Sequence, residues 1–244
     1  MHQEKSQDRL VNGVELTGAA GSRRKLYGRR HGKKLRATQV RLLAELLPRL
    51  RVPGVSPAEN PERAPLAPLW SDGRAVWLEI GFGGGEHLVA QAQAHPDVGL
   101  IGCEPFVNGV AMALGRIEAA AVGNVRLHDG DARDLIELLP EGGLGRAFLL
   151  YPDPWPKARH HRRRFASVEN LHLLHRVMAS GAELRVATDI ADYAEHARAA
   201  VAAAPGFRLA RDTGEPWPDW PGTRYEAKAL AAGRRPVYLT IVRA

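Results

Sequence analysis

One aspartate stands out in the stretch LLYPDPWPKARHHRRRF, which runs from Leu149 to Phe165. An apolar run typical of a buried strand ends at Tyr151, and Asp153 follows between two prolines. Proline fixes its own φ and restricts the residue before it, so the prolines should hold this acid stiffly at the strand end. A dense group of cations follows within the same stretch. Asp153 is therefore a candidate reactive group beside a surface that favours a polyanion.

A second candidate site is the glycine-rich stretch EIGFGGGEHL, where backbone can approach a ligand closely and adopt positive φ. The G-x-G-x-x-G spacing of dinucleotide-binding turns fails here, because Glu86 stands where the third glycine is needed. The spacing E-x-G-x-G-x-G fits instead, with Glu79, Gly81, Gly83 and Gly85. A carboxylate ahead of the turn suits a cationic ligand such as S-adenosylmethionine, which carries an ammonium and a sulfonium. The alternative is a tight strand-to-helix corner.

Two further acids close the next two apolar runs. Glu104 ends the second run, where a carboxylate can accept hydrogen bonds from both hydroxyls of a ribose. Asp131 ends the third run, where it could reach an adenine amino group, cap the helical segment that follows, or do both. Three acids that end three successive strands around a glycine turn together predict a site for S-adenosylmethionine.

The elements that must position these residues form a regular pattern. Short apolar runs alternate with helical patterns, and the runs read AVWLEIGF, GLIGCEPF, NVRLHDGD, RAFLLYPD and ELRVATDI. Such alternation predicts an α/β fold in which helices cover both faces of a mostly parallel sheet, with ligands at the carboxyl ends of the strands. The last two runs, FRLAR and PVYLTIVR, predict an antiparallel pair at the C-terminal edge.

The N-terminal part of the chain has a different composition. The stretch SRRKLYGRRHGKKLR packs cations among glycines with little to bury, so residues 1–36 are predicted to be a flexible basic arm. Apolar residues at helical spacing and then repeated prolines predict a helix and a proline-rich linker over residues 37–68. Residues 69–244 form the predicted α/β domain.

Composition narrows the class of protein. The 244 residues carry 34 Lys and Arg against 27 Asp and Glu, a net charge of +7 that favours polyanionic partners. The single cysteine, Cys103, cannot form an internal disulfide, and the sequence contains no signal-peptide pattern or long uncharged apolar stretch, so a cytoplasmic protein that does not bind membranes is expected. The histidines lack the spacing of a zinc site, so no metal is expected. A monomer is expected.

These segments together resemble the bacterial tRNA (guanine-N7)-methyltransferases, the TrmB family. The resemblance covers residues 26–242 and rests on EIGFGGGEHL, GCEPF, YPDPWPKARHHRRR, ATD and TRYEAKAL, which occur in that order. It implies the class I methyltransferase (Rossmann-like) fold, with S-adenosylmethionine as methyl donor. It also implies methylation of a variable-loop guanine, at position 46, in tRNA. A methyltransferase that acts on another RNA is the alternative.

The resemblance also implies roles for individual residues. The residues expected to contact the donor are Glu79, Gly81, Gly83, Gly85, Glu104, Asp131 and Asp153, and Asp153 is also the expected catalytic residue. The residues expected to hold the substrate are Lys157, Asp189, Thr223, Arg224, Tyr225 and Glu226. The residues expected to contact RNA are Arg159, His160, His161, Arg162, Arg163 and Arg164.

The chemistry of guanine limits what Asp153 can do. Guanine N7 carries a lone pair and no proton, so general-base catalysis has nothing to remove in the transfer step. Asp153 is expected instead to accept hydrogen bonds and to offset the positive charge that moves onto the purine. Trp155 could stack on a base or pack the loop. Glu226 could accept from the Watson–Crick edge of guanine, or cap and pair locally on a helix that runs to Ala232.

Overall fold

The computed structural model describes residues 10–11, 14–15 and 26–244. Most of the first 25 residues of the predicted basic arm therefore lie outside the described part of the chain. Two short strands, β1 (Leu10–Val11) and β2 (Val14–Glu15), pair antiparallel.

Strands and helices alternate from residue 76 onward, as the apolar runs predict. The strands are β3 (Val76–Ile80), β4 (Gly99–Cys103), β5 (Val125–His128), β6 (Leu144–Leu150), β7 (Met178–Thr188), β8 (Phe207–Thr213) and β9 (Val237–Arg243). The α-helices are α1 (Ala37–Glu45), α2 (Leu47–Leu50), α3 (Glu86–Ala94), α4 (Val107–Ala120), α5 (Ala132–Ile136), α6 (Val168–Val177), α7 (Ala191–Ala203) and α8 (Arg224–Ala231). A 3₁₀ helix covers Ala158–Arg163.

The seven longer strands form one mixed sheet in the order β5-β4-β3-β6-β7-β9-β8. The pairs β4–β5, β3–β6 and β6–β7 are parallel, and β9 pairs antiparallel with both β7 and β8. The predicted α/β fold, with a mostly parallel sheet and an antiparallel C-terminal edge, is confirmed. The contacts divide the chain into two compact units, residues 1–74 with 81–140, and residues 75–80 with 141–244.

In the first unit, the segment after α2 packs on β5. The Val52 amide donates to the Leu127 carbonyl at 2.9 Å, and the Arg51 guanidinium makes two 3.1 Å hydrogen bonds to the buried carboxylate of Asp129. The apolar residues of α1 and α2 are buried beneath it, namely Leu42, Leu43, Leu47 and Leu50. Residues 52–75, all of which the structure describes, form no helix or strand, as their repeated prolines predict. The segment nevertheless packs against the rest of its unit.

The described end of the predicted basic arm lies against the start of α4. The Arg30 carbonyl accepts from the Val107 amide at 2.9 Å. The Asn108 side chain accepts from the Gly32 amide at 2.6 Å and donates to the Lys33 carbonyl at 2.7 Å. These contacts satisfy a backbone group at the helix start, where intrahelical partners are missing.

In the second unit, an aromatic cluster covers the carboxyl-terminal half of β6. Its buried members are Phe148, Leu150, Ala187, Trp217 and Tyr238, with Trp77, Tyr151 and Trp220 packed around them. Ring centroids in the cluster lie 5.2 to 5.9 Å apart in edge-to-face geometry. Large rings in such contacts stabilise a unique packing, so the cluster provides a firm base for the residues that follow β6.

Candidate active site

The glycine turn of the first unit has the conformation that the E-x-G-x-G-x-G spacing predicts. Gly81, Gly83 and Gly85 have φ values of 74°, 56° and 80°, in the left-handed region that other residues avoid. A Cβ atom on Gly85 would lie 2.6 Å from the Ala113 side chain, whereas one on Gly81 would meet nothing within 4 Å. Gly85 is thus required for packing on α4, and Gly81 leaves open space beside the turn.

Glu104 joins this turn to the end of β4. Its carboxylate is buried and accepts from the Gly83 amide at 2.8 Å and from the Phe106 amide at 2.9 Å. Its own amide donates to the carbonyl of His128, the last residue of β5. These two bonds fix the orientation of the Glu104 carboxylate.

Two residues that the sequence did not single out support the same turn. A Cβ atom on Gly109 would lie 2.4 Å from the Gly83 carbonyl oxygen, so only glycine lets α4 pass this close. Arg116, two turns further along α4, donates to the Gly84 carbonyl at 2.9 Å and to the Glu86 carboxylate at 2.7 Å. The sequence signal for these two contacts is their spacing of seven positions, which places Gly109 and Arg116 on the same face of α4.

Asp131 caps α5, one of the two roles that its position allows. Its carboxylate accepts from the Arg133 amide at 3.0 Å and from the Arg133 Nε at 2.9 Å. The Asp131 side chain is 5% exposed, so Arg133 supplies the positive charge that makes its burial tolerable. An adenine contact by Asp131 stays a prediction.

We expect Glu104→Ala to weaken donor binding strongly while the chain still folds. The change removes the charged acceptor proposed for the ribose hydroxyls, at a cost of about 1–3 kcal/mol in donor binding. Calorimetric titration with S-adenosylhomocysteine measures the loss. Glu118→Ala, which removes an exposed acid from α4, is the control and should bind normally. Unchanged affinity in folded Glu104→Ala would remove this residue from the donor site.

In the second unit, Glu79 lies on β3 and is 3% exposed. It stands one residue before the end of the strand, next to the glycine turn in sequence. Such burial fits a carboxylate that is held in place rather than a solvated surface acid. Donor binding by Glu79 stays a prediction.

The turn that carries Asp153 is strained. Tyr151 and Trp155, on either side of the Pro-Asp-Pro sequence, have φ values of 48° and 44°. Such values are costly for large side chains and persist only where the surroundings enforce them. The Tyr151 amide donates to the Ala187 carbonyl at 2.7 Å, which ties the turn to β7. The backbone around Asp153 is therefore held tightly, as its two prolines predict.

The Asp153 carboxylate is open to solvent on one side. No residue in the described part of the chain donates a hydrogen bond to it, and partial desolvation raises the pKa of this carboxyl above its usual value. A carboxylate held in this way retains its capacity to accept hydrogen bonds from a ligand.

The structure corrects the prediction that Arg164 contacts RNA. Its side chain is buried, with 1% of the residue exposed, whereas the prediction required a guanidinium at the surface. Arg164 Nε donates to the Pro154 carbonyl at 2.9 Å, Nη1 donates to the Asp192 carbonyl at 3.1 Å, and Nη2 pairs with the Asp192 carboxylate. Its guanidinium carbon lies 5.4 Å from the ring centroid of Tyr193. Arg164 fastens the Asp153 turn to the start of α7.

The other cations of this stretch lie on the 3₁₀ helix or directly before it. Lys157, Arg159 and Arg162 are exposed. Arg163 is half-buried, and its guanidinium carbon lies 4.9 Å from the ring centroid of Trp155. One face of Trp155 therefore packs against a cation, and stacking of this ring on a base stays a prediction.

The two histidines of the same helix are partly buried. Desolvation, followed by the charges of the neighbouring cations, lowers the pKa of His160. The His161 ring lies 6.0 Å from that of His196, and its Nε2 atom is 3.4 Å from the Asp192 carboxylate. The lowered pKa favours the neutral form of the His160 imidazole in the free protein.

The predicted substrate-holding residues make contacts within the protein. Asp189 accepts from Arg234 Nε at 2.5 Å. Thr223 caps α8 by accepting from the Glu226 amide at 3.1 Å. The Glu226 carboxylate accepts from Trp220 Nε1 at 2.8 Å and from the Tyr238 hydroxyl. Thr223, not Glu226, caps the helix, and the partners of the Glu226 carboxylate lie outside that helix and fix its orientation.

Tyr225 of α8 is an exposed ring with two cations beside it. Tyr225 is 42% exposed, and its hydroxyl accepts from Arg224 Nη2 at 3.1 Å. The Arg224 guanidinium carbon lies 4.9 Å and the Lys228 ammonium 6.0 Å from the ring centroid of Tyr225. An exposed ring between two cations suits a surface that contacts nucleic acid.

Residues 10–11, 14–15 and 26–244 contain no group of three or more His, Cys, Asp or Glu side chains that could hold a metal ion. Over the same ranges, no helix has the length and apolar character needed to cross a bilayer.

The comparisons with solved structures define the class of fold. The chain is similar to the 16S rRNA methyltransferase KamB, with a TM-score of 0.55 and 19% identity over 80% of this chain and 99% of that chain. It is also similar to the aminoglycoside resistance methyltransferase NpmB1, with a TM-score of 0.52 and 19% identity over 80% and 98% of the two chains. The sheet order and the glycine turn are those of a class I methyltransferase fold.

Comparisons of sequence define the family. The family model with the description "Putative methyltransferase" matches residues 73–239. The tRNA (guanine-N(7)-)-methyltransferase of Paracoccus denitrificans (strain Pd 1222) is 57% identical over 91% of this chain and 95% of its own length. The protein of the same name from Jannaschia sp. (strain CCS1) is 56% identical over 89% and 93%. The chain belongs to the tRNA (guanine-N(7)-)-methyltransferase family.

Proposed function

We propose that the protein transfers a methyl group from S-adenosylmethionine to N7 of a guanine in tRNA. The observation that carries this proposal is the identity of 57% over almost the whole chain with a relative of that name. The candidate site residues support it. The carboxylate of Asp153 would serve the acceptor base, the exposed cations would serve the RNA, and the glycine turn would serve the donor.

The first unit suits the donor. Gly81 leaves room beside the turn, and Glu104 is oriented by two backbone amides. A buried carboxylate at the end of a parallel strand can accept hydrogen bonds from the paired hydroxyls of a ribose. Gly81, Gly83, Gly85, Glu104 and Asp131 of this unit, together with Glu79, would hold S-adenosylmethionine, which supplies a methyl on sulfur that the N7 lone pair can accept without loss of a proton.

The second unit suits the acceptor. Asp153 would accept hydrogen bonds from the guanine or from the donor's ammonium, and its negative charge would offset the positive charge that develops on the purine. The strained turn fixes its position before the substrate arrives, so little reorganisation is needed during the reaction. Asp189, Thr223 and Glu226 would hold the base from the side of α8.

RNA binding would depend on the exposed cations. The N7 edge of guanine lies in the deep major groove of an A-form helix, so the target base must be in a loop or drawn out of its stack. Lys157, Arg159 and Arg162 border the Asp153 turn and can neutralise phosphates around such a base. Localisation to the cytoplasm follows from the same substrate, since that is where bacterial tRNA is found.

We expect Arg159→Ala to reduce the salt dependence of tRNA binding. Loss of one phosphate contact should lower the slope of log K against log salt by about 0.7–0.9. Arg208→Ala removes an equally exposed cation from β8, so it controls for net charge and should leave the slope unchanged. Binding isotherms at several salt concentrations measure both. Equal slopes in the wild type and Arg159→Ala would exclude Arg159 from the RNA surface.

The target is proposed to be the guanine at position 46 of the variable loop. Incubation of unmodified tRNA with the protein and labelled donor, followed by chain cleavage at 7-methylguanosine, maps the methyl group. Label at position 46, absent when this guanine is replaced by adenine, is the expected result. Label in ribosomal RNA and none in tRNA would favour the alternative, a methyltransferase for another RNA.

A further inference from the structure

The carboxylate of Glu226 is held by two neutral donors. Trp220 Nε1 donates to Oε2 at 2.8 Å, and the Tyr238 hydroxyl donates to Oε1. Each donor therefore engages a different oxygen, which fixes the plane of the carboxylate as well as its position. The Thr223 cap at the start of α8 fixes the backbone of Glu226 in addition.

A chain of contacts links this carboxylate to the strand end that leads to Asp153. Tyr238 of β9 stands opposite Ala187 of β7 in the antiparallel register. The Ala187 carbonyl accepts from the amide of Tyr151, two residues before Asp153. Glu226 is thus anchored to the aromatic cluster from which the Asp153 turn begins, so both acids are supported by one rigid group of side chains.

Burial and the hydrogen bond to Glu226 raise the pKa of Tyr238 to about 12. The Tyr238 hydroxyl is therefore a neutral donor across the working range of the enzyme. The indole of Trp220 carries no charge at any pH. Because neither donor cancels the charge of Glu226, this carboxylate keeps the strong acceptor character that a charged oxygen has.

The Watson–Crick edge of guanine matches such an acceptor. Guanine presents N1–H and a 2-amino group side by side, two parallel donors that a single carboxylate can accept together. Adenine presents an acceptor at N1 and cannot make this pair. A site built to accept a substrate's N–H groups rejects an analogue that lacks one, because a buried acceptor is then left without a partner.

We propose that Trp220 and Tyr238 are positioning residues that hold Glu226 to accept from N1–H and the 2-amino group of the target guanine. This inference rests on the proposed function and goes beyond it, since it names the residues that set selectivity for the base. Removal of either donor frees the Glu226 carboxylate to rotate. The selectivity for guanine should then fall, while the packing of the site changes little.

Inosine tests the inference, because it keeps N1–H and N7 and lacks the 2-amino group. Two tRNA transcripts, with guanosine or inosine at the target position, are compared in single-turnover methylation. For the wild type we expect inosine to react about tenfold more slowly, the lower range for loss of one member of a bidentate pair. For Tyr238→Phe, which keeps the ring and removes the hydroxyl, we expect this ratio to approach two.

Thr240→Val is the matched control. Thr240 accepts from Trp217 Nε1 at 2.9 Å in the same aromatic cluster, so this variant loses one hydrogen bond without affecting Glu226. It should keep the wild-type ratio, and Glu226→Gln should lose it. Trp220→Phe provides a second test of positioning if Tyr238→Phe does not fold.

The outcomes are distinct. A wild type that does not methylate the guanosine transcript contradicts the proposed function itself. A wild type that methylates both transcripts equally, or a Tyr238→Phe variant that retains the full tenfold ratio, overturns the inference while the proposed function stands. An equal loss of ratio in Thr240→Val would show that packing of the cluster sets selectivity and would also overturn it.

Discussion

Asp153→Asn is expected to lower the single-turnover rate of methyl transfer by about 100-fold. The amide keeps the shape of the side chain and removes its charge, and a charged hydrogen bond is roughly twice as strong as a neutral one. In the proposed role Asp153 offsets a charge that develops only during transfer, so the loss should fall on the reaction step. Rapid-quench measurement with saturating tRNA and donor gives this rate directly.

Binding of tRNA should hardly change in the same variant, because the exposed arginines and lysine dominate that affinity. Asp212→Asn is the control, since Asp212 of β8 pairs with Arg198 of α7 and has no place in the proposed site. A rate for Asp153→Asn within threefold of the wild type would exclude charge stabilisation by this residue.

Arg164→Ala is expected to reduce both stability and activity. The change empties a fully buried position and leaves the carbonyls of Pro154 and Asp192 without a donor. Comparable buried truncations lower the free energy of unfolding by about 2–5 kcal/mol. Because Pro154 follows Asp153 directly, we expect the transfer rate to fall at least about tenfold as well, as expected when a positioning contact is lost. Urea denaturation and single-turnover kinetics measure the two effects.

Arg162→Ala separates this role from a general role of positive charge. Arg162 lies two residues earlier on the 3₁₀ helix and is exposed, so its removal should change the free energy of unfolding by less than about 0.5 kcal/mol. A stable Arg164→Ala variant with weakened tRNA binding, together with a destabilised Arg162→Ala variant, would contradict the structural role of Arg164.

The sequence predicts the framework of the proposed donor site because the signals for its strands, helices and turn are local. Periodicity marks each strand and helix, and the spacing of Gly81, Gly83 and Gly85 identifies the positions that need positive φ. Glu104 and Asp131 follow strands, and parallel strands bring their carboxyl ends to one edge. These patterns require no knowledge of distant contacts.

The roles of other residues depend on contacts between distant parts of the chain. In the sequence, Arg164 is one of three consecutive arginines, and only the packing of α7 shows that this one is buried. Glu226 meets Tyr238 of β9, twelve positions away, through the antiparallel register of the C-terminal strands. Local periodicity does not specify which strands pair, so neither contact could be predicted.

The pH dependence of single-turnover methyl transfer distinguishes charge stabilisation from proton removal at Asp153 most directly. Desolvation raises the pKa of this carboxyl, so the active, ionised form should be lost as the pH falls through a midpoint above the ordinary value of about 3.9. From about pH 6 to pH 9 the carboxylate stays ionised and the wild-type rate should be nearly flat. A wild-type rate that rises tenfold per pH unit over this range, with the slope abolished in Asp153→Asn, would contradict transfer without proton removal.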